Sequence, residues 1–125
     1  MNNAKIAVLA GAILCLTAVA LGAFGAHAFA ETLTLNQRAD VYQLANRYQF
    51  YHGLGLLVVG CIYKASGHGQ FNIVALMLAG TLIFSGSLYA LALSNIAWLG
   101  AITPVGGTLL IVAWLLFTRF VYKSW

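Results

Sequence analysis

The chain has 125 residues, 62% of them apolar and only 6% charged, with a mean hydropathy of +0.92 and a net charge of +4 at pH 7. Soluble domains carry roughly 25% charged residues, and two acids with six bases cannot cover a single domain of this length without leaving large apolar patches in water. A water-soluble enzyme, a disordered segment and a fibrous repeat are excluded, which leaves an integral membrane protein. The bases are scattered singly, so the positive balance is no nucleic-acid footprint.

The first apolar run, residues 6–30, is interrupted only by Thr17 and His27. It exceeds the roughly 20 residues that a helix needs to cross hydrocarbon. A signal peptide is the competing reading, since Ala26-His27-Ala28 resembles a small-residue cleavage site. The apolar stretch is longer than the roughly 7–15 residues of a signal core, and a retained first helix is expected. Residues 31–47 then hold both acids and two of the three arginines. Thr34-Leu35-Asn36-Gln37 fits a capping box, with Thr34 as N-cap and Gln37 reaching back. A polar helix over 34–47, outside the hydrocarbon, is predicted to run into the second span.

That second span, 48–63, ends at Lys64 and measures only ~24 Å, so it is expected to be short or to thin the bilayer. Ser66-Gly67-His68-Gly69 is a turn by composition. The third span covers 71–93 and the fourth 98–121. The tight link Ser94-Asn95-Ile96-Ala97 makes them an antiparallel hairpin. Pro104 should kink the fourth helix or mark its real start. No repeat relates the two halves, so an inverted-repeat transporter is not supported. Cys15 and Cys61 are too few for a disulfide framework and read as small buried hydrophobes.

Lys5, Lys64, Arg119 and Lys123 flank one side; Arg38 and Arg47, beside Glu31 and Asp40, flank the other. The basic excess places both termini in the cytoplasm. The expected fold is therefore all-α: one domain, 1–125, an integral membrane four-helix bundle with antiparallel spans, multi-pass in the inner (plasma) membrane.

With that topology, His27 lies ~33 Å from Lys5, His52 ~18 Å from Lys64, Ser85 and Ser87 ~21 to 24 Å from Phe71, and Thr103 ~24 Å from Arg119. These positions gather polar groups in the outer half of the bilayer. Tyr48, Gln49, His52, Gly55 and Val59 share one face of the second helix by spacing, and Ser85 and Tyr89 one face of the third. The candidate polar cluster is His27, Tyr48, Gln49, His52, Ser85, Ser87, Tyr89 and Thr103. His52 is expected to point into the bundle, toward hydroxyls such as Ser85 or Tyr89, because an imidazole facing lipid is costly.

Small residues at four-residue spacing, Ala18, Gly22 and Ala26 on the first helix and Gly86, Ala90 and Ser94 on the third, form ridges that let backbones approach. Gly106 and Gly107 would serve the fourth helix likewise. The histidines differ by ~15 Å in depth, against a bis-imidazole haem, and two are too few for zinc. Neither a metal nor a cofactor is expected. Intramembrane hydrolysis by Ser85 or Ser87 with His52 lacks an acid to orient the base.

Leu21-Gly22-Ala23-Phe24-Gly25-Ala26-His27, Tyr48-Gln49 followed by His52, Phe84-Ser85-Gly86-Ser87-Leu88-Tyr89, and Thr103-Pro104-Val105-Gly106-Gly107 with Trp114 together resemble the YgdD/YwdK-like small membrane proteins. These form a domain of unknown function with a eukaryotic small transmembrane-protein branch. The resemblance spans essentially the whole chain. It implies a four-helix inner-membrane protein and no particular reaction. Two functions stay open. One is a non-enzymatic structural or interaction protein that forms a homo-oligomer or docks a membrane-protein partner in the lipid bilayer. The other is a binding or conducting module for a small solute, lipid headgroup or proton.

Overall fold

The computed structural model describes residues 2–125, and its regular structure is entirely helical. Helix α1 spans Asn3–Ala26, α2 Ala30–Asn36, α3 Ala39–Ser66, α4 Phe71–Ser94 and α5 Thr103–Ser124, with a 3₁₀ turn over Ala97–Ala101 ahead of α5. The Asn2 side chain starts α1 by accepting from the Lys5 N–H at 2.8 Å. Gly67 closes α3 in the left-handed conformation with φ 75°, the C-terminal role glycine fills without a Cβ clash. Pro104 stands in the first turn of α5, where its missing N–H would have had no partner anyway. It marks the start of the helix and does not kink it.

Three helical stretches are long and apolar enough to cross a membrane: Asn3–Ala26, Phe71–Ser94 and Ala97–Ser124. The segment before α3 corrects the sequence reading. The first helix ends at Ala26, not Ala30, and no capping box forms at Thr34. That hydroxyl bonds back to the Ala30 carbonyl at 2.9 Å inside α2, and Gln37 turns left-handed with φ 55° to end it. The next helix starts only at Ala39. It then runs for 28 residues without a break, about 42 Å, so the polar segment does run into the second span as expected, and the two form the longest helix of the fold.

The helices form an antiparallel row in the order α1, α3, α4, α5, while α1 and α4 touch little. Close approach follows from glycine. A Cβ on Gly11 would lie 2.6 Å from the Gly53 carbonyl oxygen, so no larger residue fits where α1 crosses α3. Gly80 and Gly106 play the same part between α4 and α5: a Cβ on Gly80 would lie 3.1 Å from the Gly106 oxygen.

Ala7, Leu14, Leu56, Val59, Tyr63, Ile73, Met77, Ala113 and Phe117 fill the core. Both termini lie beside the α3–α4 turn. Asn3 donates to the Gly69 carbonyl at 2.9 Å, and the His68 Nε2 lies 3.2 Å from the Ser124 hydroxyl. At the other end, α2 and its junction with α3 bridge to the end of α4: Asn36 donates to the Ala92 and Leu93 carbonyls at 2.9 and 3.2 Å, and Arg38 to Asn95 at 3.2 Å.

Candidate functional site

The polar residues expected to form one cluster separate into three, because α3 sends successive side chains to different neighbours. The largest group joins α1, α3 and α4. Asn46 donates to the Ala18 carbonyl at 2.7 Å and to the Tyr89 hydroxyl at 3.0 Å. Tyr89 donates to Gln49 Oε1 at 2.7 Å. The Gln49 amide donates in turn to the Leu14 carbonyl at 3.1 Å and the Thr17 hydroxyl at 2.7 Å. Thr17 ends the chain on the Ile13 carbonyl at 2.8 Å. Alongside it, the Ser85 hydroxyl donates to the Ala45 carbonyl at 2.7 Å. Among apolar helices each such bond spares a group whose loss would cost several kcal/mol.

Asn46 and Thr17 were not among the sequence candidates. Asn46 sits three residues before Gln49, hence on the same face, and that spacing was the available signal. Tyr42, whose hydroxyl donates to the Leu21 carbonyl, was likewise missed.

The second group couples α3 to α5. His52 is 7% exposed. Its Nδ1–H donates to the Tyr48 carbonyl at 2.8 Å, leaving Nε2 as the acceptor for the Trp114 indole N–H at 3.0 Å. The imidazole does point inward, but its partner is an indole on α5, not Ser85 or Tyr89. Gly55 leaves room for that indole: a Cβ there would lie 3.1 Å from the Trp114 ring. Tyr48 stacks on Phe84 with ring centroids 4.6 Å apart. The third group is the pair of Ser87 and Thr103 hydroxyls, 2.7 Å apart between α4 and the start of α5. His27 joins none of them; it is the exposed C-cap of α1.

The small-residue ridges also part company. Ala18 is 1% exposed and Gly22 faces the Asn46 side chain at 3.1 Å, so the first ridge packs on α3 inside the molecule; its last member, Ala26, is exposed beyond the contact. Gly106 is buried against the α4 backbone, and Gly107 meets the edge of Phe84. Gly86, Ala90 and Ser94 are all exposed, and a Cβ on Gly86 would meet nothing within 4 Å. Gly86 borders a groove of about 610 Å³ between α1 and α4, walled by residues such as Ile13, Leu78 and Leu82 and floored by Gln49 and Tyr89. No buried side-chain nitrogen or oxygen among the described residues lacks a hydrogen-bond partner. The groove floor therefore offers no free donor.

Residues 21–107 match the family described as Protein of unknown function (DUF423). A UPF0382 membrane protein of Staphylococcus epidermidis is 45% identical over 114 residues, covering 89% of this chain and 90% of that protein. The UPF0382 membrane protein YwdK of Bacillus subtilis is 44% identical over 114 residues, covering 90% and 92%. A UPF0382 membrane protein of Staphylococcus saprophyticus is 42% identical over 119 residues, covering 95% and 98%. No solved structure matches the chain.

Proposed function

The chain belongs to the DUF423 family of membrane proteins, and on that premise we propose that it is a non-catalytic inner-membrane protein that self-associates through the exposed face of α4. The observation that carries this reading is the unfilled Gly86 position. Of the small-residue ridges, those on α1 and α5 pack largely inside the molecule, whereas all three members of the α4 ridge, Gly86, Ala90 and Ser94, are exposed. In hydrocarbon a helix pair gains from backbone approach over small residues. A second copy is the favoured partner, because a two-fold axis through α4 brings the same stripe from each chain together and needs no further surface.

In this reading α1, α3, α4 and α5 each cross the membrane, with the termini in the cytoplasm. Support comes from the antiparallel pairing of α3 with α1 and α4, which turns its amides onto neighbouring helices and away from lipid. Further support is the excess of bases at the end where the termini lie.

Catalysis and proton conduction are disfavoured by the same bonds that hold the helices. Both His52 nitrogens are engaged, and the donor chain from Asn46 to Thr17 passes through an amide and finishes on a backbone carbonyl. Such a chain has no titratable member facing water at either end.

The test is the mass of the purified protein in detergent, by light scattering. The native chain should be a dimer, and Gly86→Leu with Ala90→Leu should yield a folded monomer. A native chain that is monomeric, or a variant that still dimerises, would refute the proposal.

A further inference from the structure

At the end of the molecule that carries the termini, a pocket of about 450 Å³ opens between α5 and the α3–α4 turn. Arg119 and Lys123 lie one helical turn apart on α5, on its same face, and both line it. His68 and Gln70 form the opposite wall, the Ser124 hydroxyl closes the end of α5, and Leu116 and Phe120 line the pocket between them.

Four observations converge here. First, this end holds Lys5 and Lys64 as well, while the chain's two acidic side chains, Glu31 and Asp40, sit at the far end on α2 and the start of α3. No acidic side chain neutralises the pocket. Second, α4 begins beside it, at Gln70, without a side-chain cap. The first N–H groups of that 24-residue helix thus face this end as free donors. Third, His68 is already oriented: its Nδ1–H donates to the Ser66 carbonyl at 3.0 Å, and Nε2 meets Ser124. Fourth, the apolar lining continues along α5 onto exposed Val112 and Leu115, a surface suited to an acyl chain.

We propose that this pocket binds the phosphate of an anionic phospholipid, its headgroup held by Arg119 and Lys123 beside the α4 N-terminus and its chains lying on α5. The ligand must be both anionic and amphiphilic, since the cationic rim and the apolar track are continuous. The site shares no residue with the α4 face assigned to self-association and stands or falls separately from it.

The probe is phosphatidylglycerol, titrated onto the full-length chain in detergent and followed by native mass spectrometry, with phosphatidylcholine as the neutral comparison. One phosphatidylglycerol per chain should be retained preferentially. Each basic residue near a membrane surface contributes enough that losing two should weaken retention roughly 30-fold. That loss is expected for Arg119→Gln with Lys123→Gln. Both side chains are exposed, so the melting temperature without lipid should not move, whereas Arg38→Gln with Arg47→Gln at the other end should leave retention unchanged. Equal retention of the two lipids, or undiminished phosphatidylglycerol retention in the first double variant, would overturn the site. Full displacement of the lipid by millimolar inorganic phosphate would overturn the lipid assignment in favour of a soluble phosphate ester.

Discussion

Replacing Gly11 by alanine tests the packing of α1 on α3 most directly. The added Cβ would sit 2.6 Å from the Gly53 carbonyl oxygen and 2.9 Å from the Leu57 nitrogen, both backbone atoms that no rotamer change can move. Ordinary contact begins near 3.4 Å, so the helices must part by about 0.8 Å at this crossing. One turn away, Gln49 holds the Leu14 carbonyl at 3.1 Å; the same displacement would stretch that bond to about 3.9 Å, past hydrogen-bonding range. Overpacking of this kind costs roughly 1–3 kcal/mol. Alanine recovers about 1 kcal/mol of helix propensity, leaving a net loss of about 0–2 kcal/mol. Gly86→Ala is the internal control. It meets no atom within 4 Å, so only the propensity gain applies, and the monomeric fold should be unchanged or up to about 1 kcal/mol more stable. Reversible unfolding in mixed micelles, followed by circular dichroism, reads both. If the two variants agree within about 0.3 kcal/mol, the glycine crossing does not set this packing.

Trp114→Phe keeps most of the ring and removes the donor to His52 Nε2; a loss of about 0.6–1.7 kcal/mol is expected, in line with polar contacts between membrane helices, and an unchanged unfolding curve would count against the indole–imidazole bond. Tyr89→Phe removes both the donor to Gln49 and the acceptor of Asn46, and it should cost more than Trp114→Phe in the same assay. Gly22→Leu should unfold the chain by striking Asn46, while Gly86→Leu should alter only its association; light scattering beside circular dichroism separates the two. In cells, single cysteines at residues 2 and 124 on a background lacking Cys15 and Cys61 should be protected from a membrane-impermeant maleimide, and labelling of either from outside would reverse the topology.

The apolar runs of α1, α4 and α5 were legible because nothing but length and hydrophobicity decides them. So were the turn at Gly67 and the start of α5 at Pro104, where backbone chemistry is local. The stretch from Ala30 to Arg47 was not. Its polar residues read as a solvated helix, yet Asn36 and Asn46 are turned onto backbone carbonyls and side chains of other helices, and that use depends on partners distant in sequence. The apparent capping box at Thr34 failed for a related reason: the same hydroxyl can serve an N-cap or bond back one turn, and the sequence does not choose. His52 shows the limit of counting along one helix. Rise per residue gave its depth, but its azimuth was set by Trp114, sixty-two residues later, and depth alone favoured Ser85 and Tyr89.

The row order of the helices has a mechanical consequence. Each long helix leans chiefly on its neighbour in the chain, so a load drawn on the C-terminus meets one interface at a time. Helix α5 would leave first, after the α4 contact and the Trp114–His52 bond give way, and α4 next. Before α4 can separate, Asn36 and Arg38 must release its far end. Extraction from the bilayer should therefore proceed in discrete rips, with the α2–α3 junction acting as the latch between the first and the second.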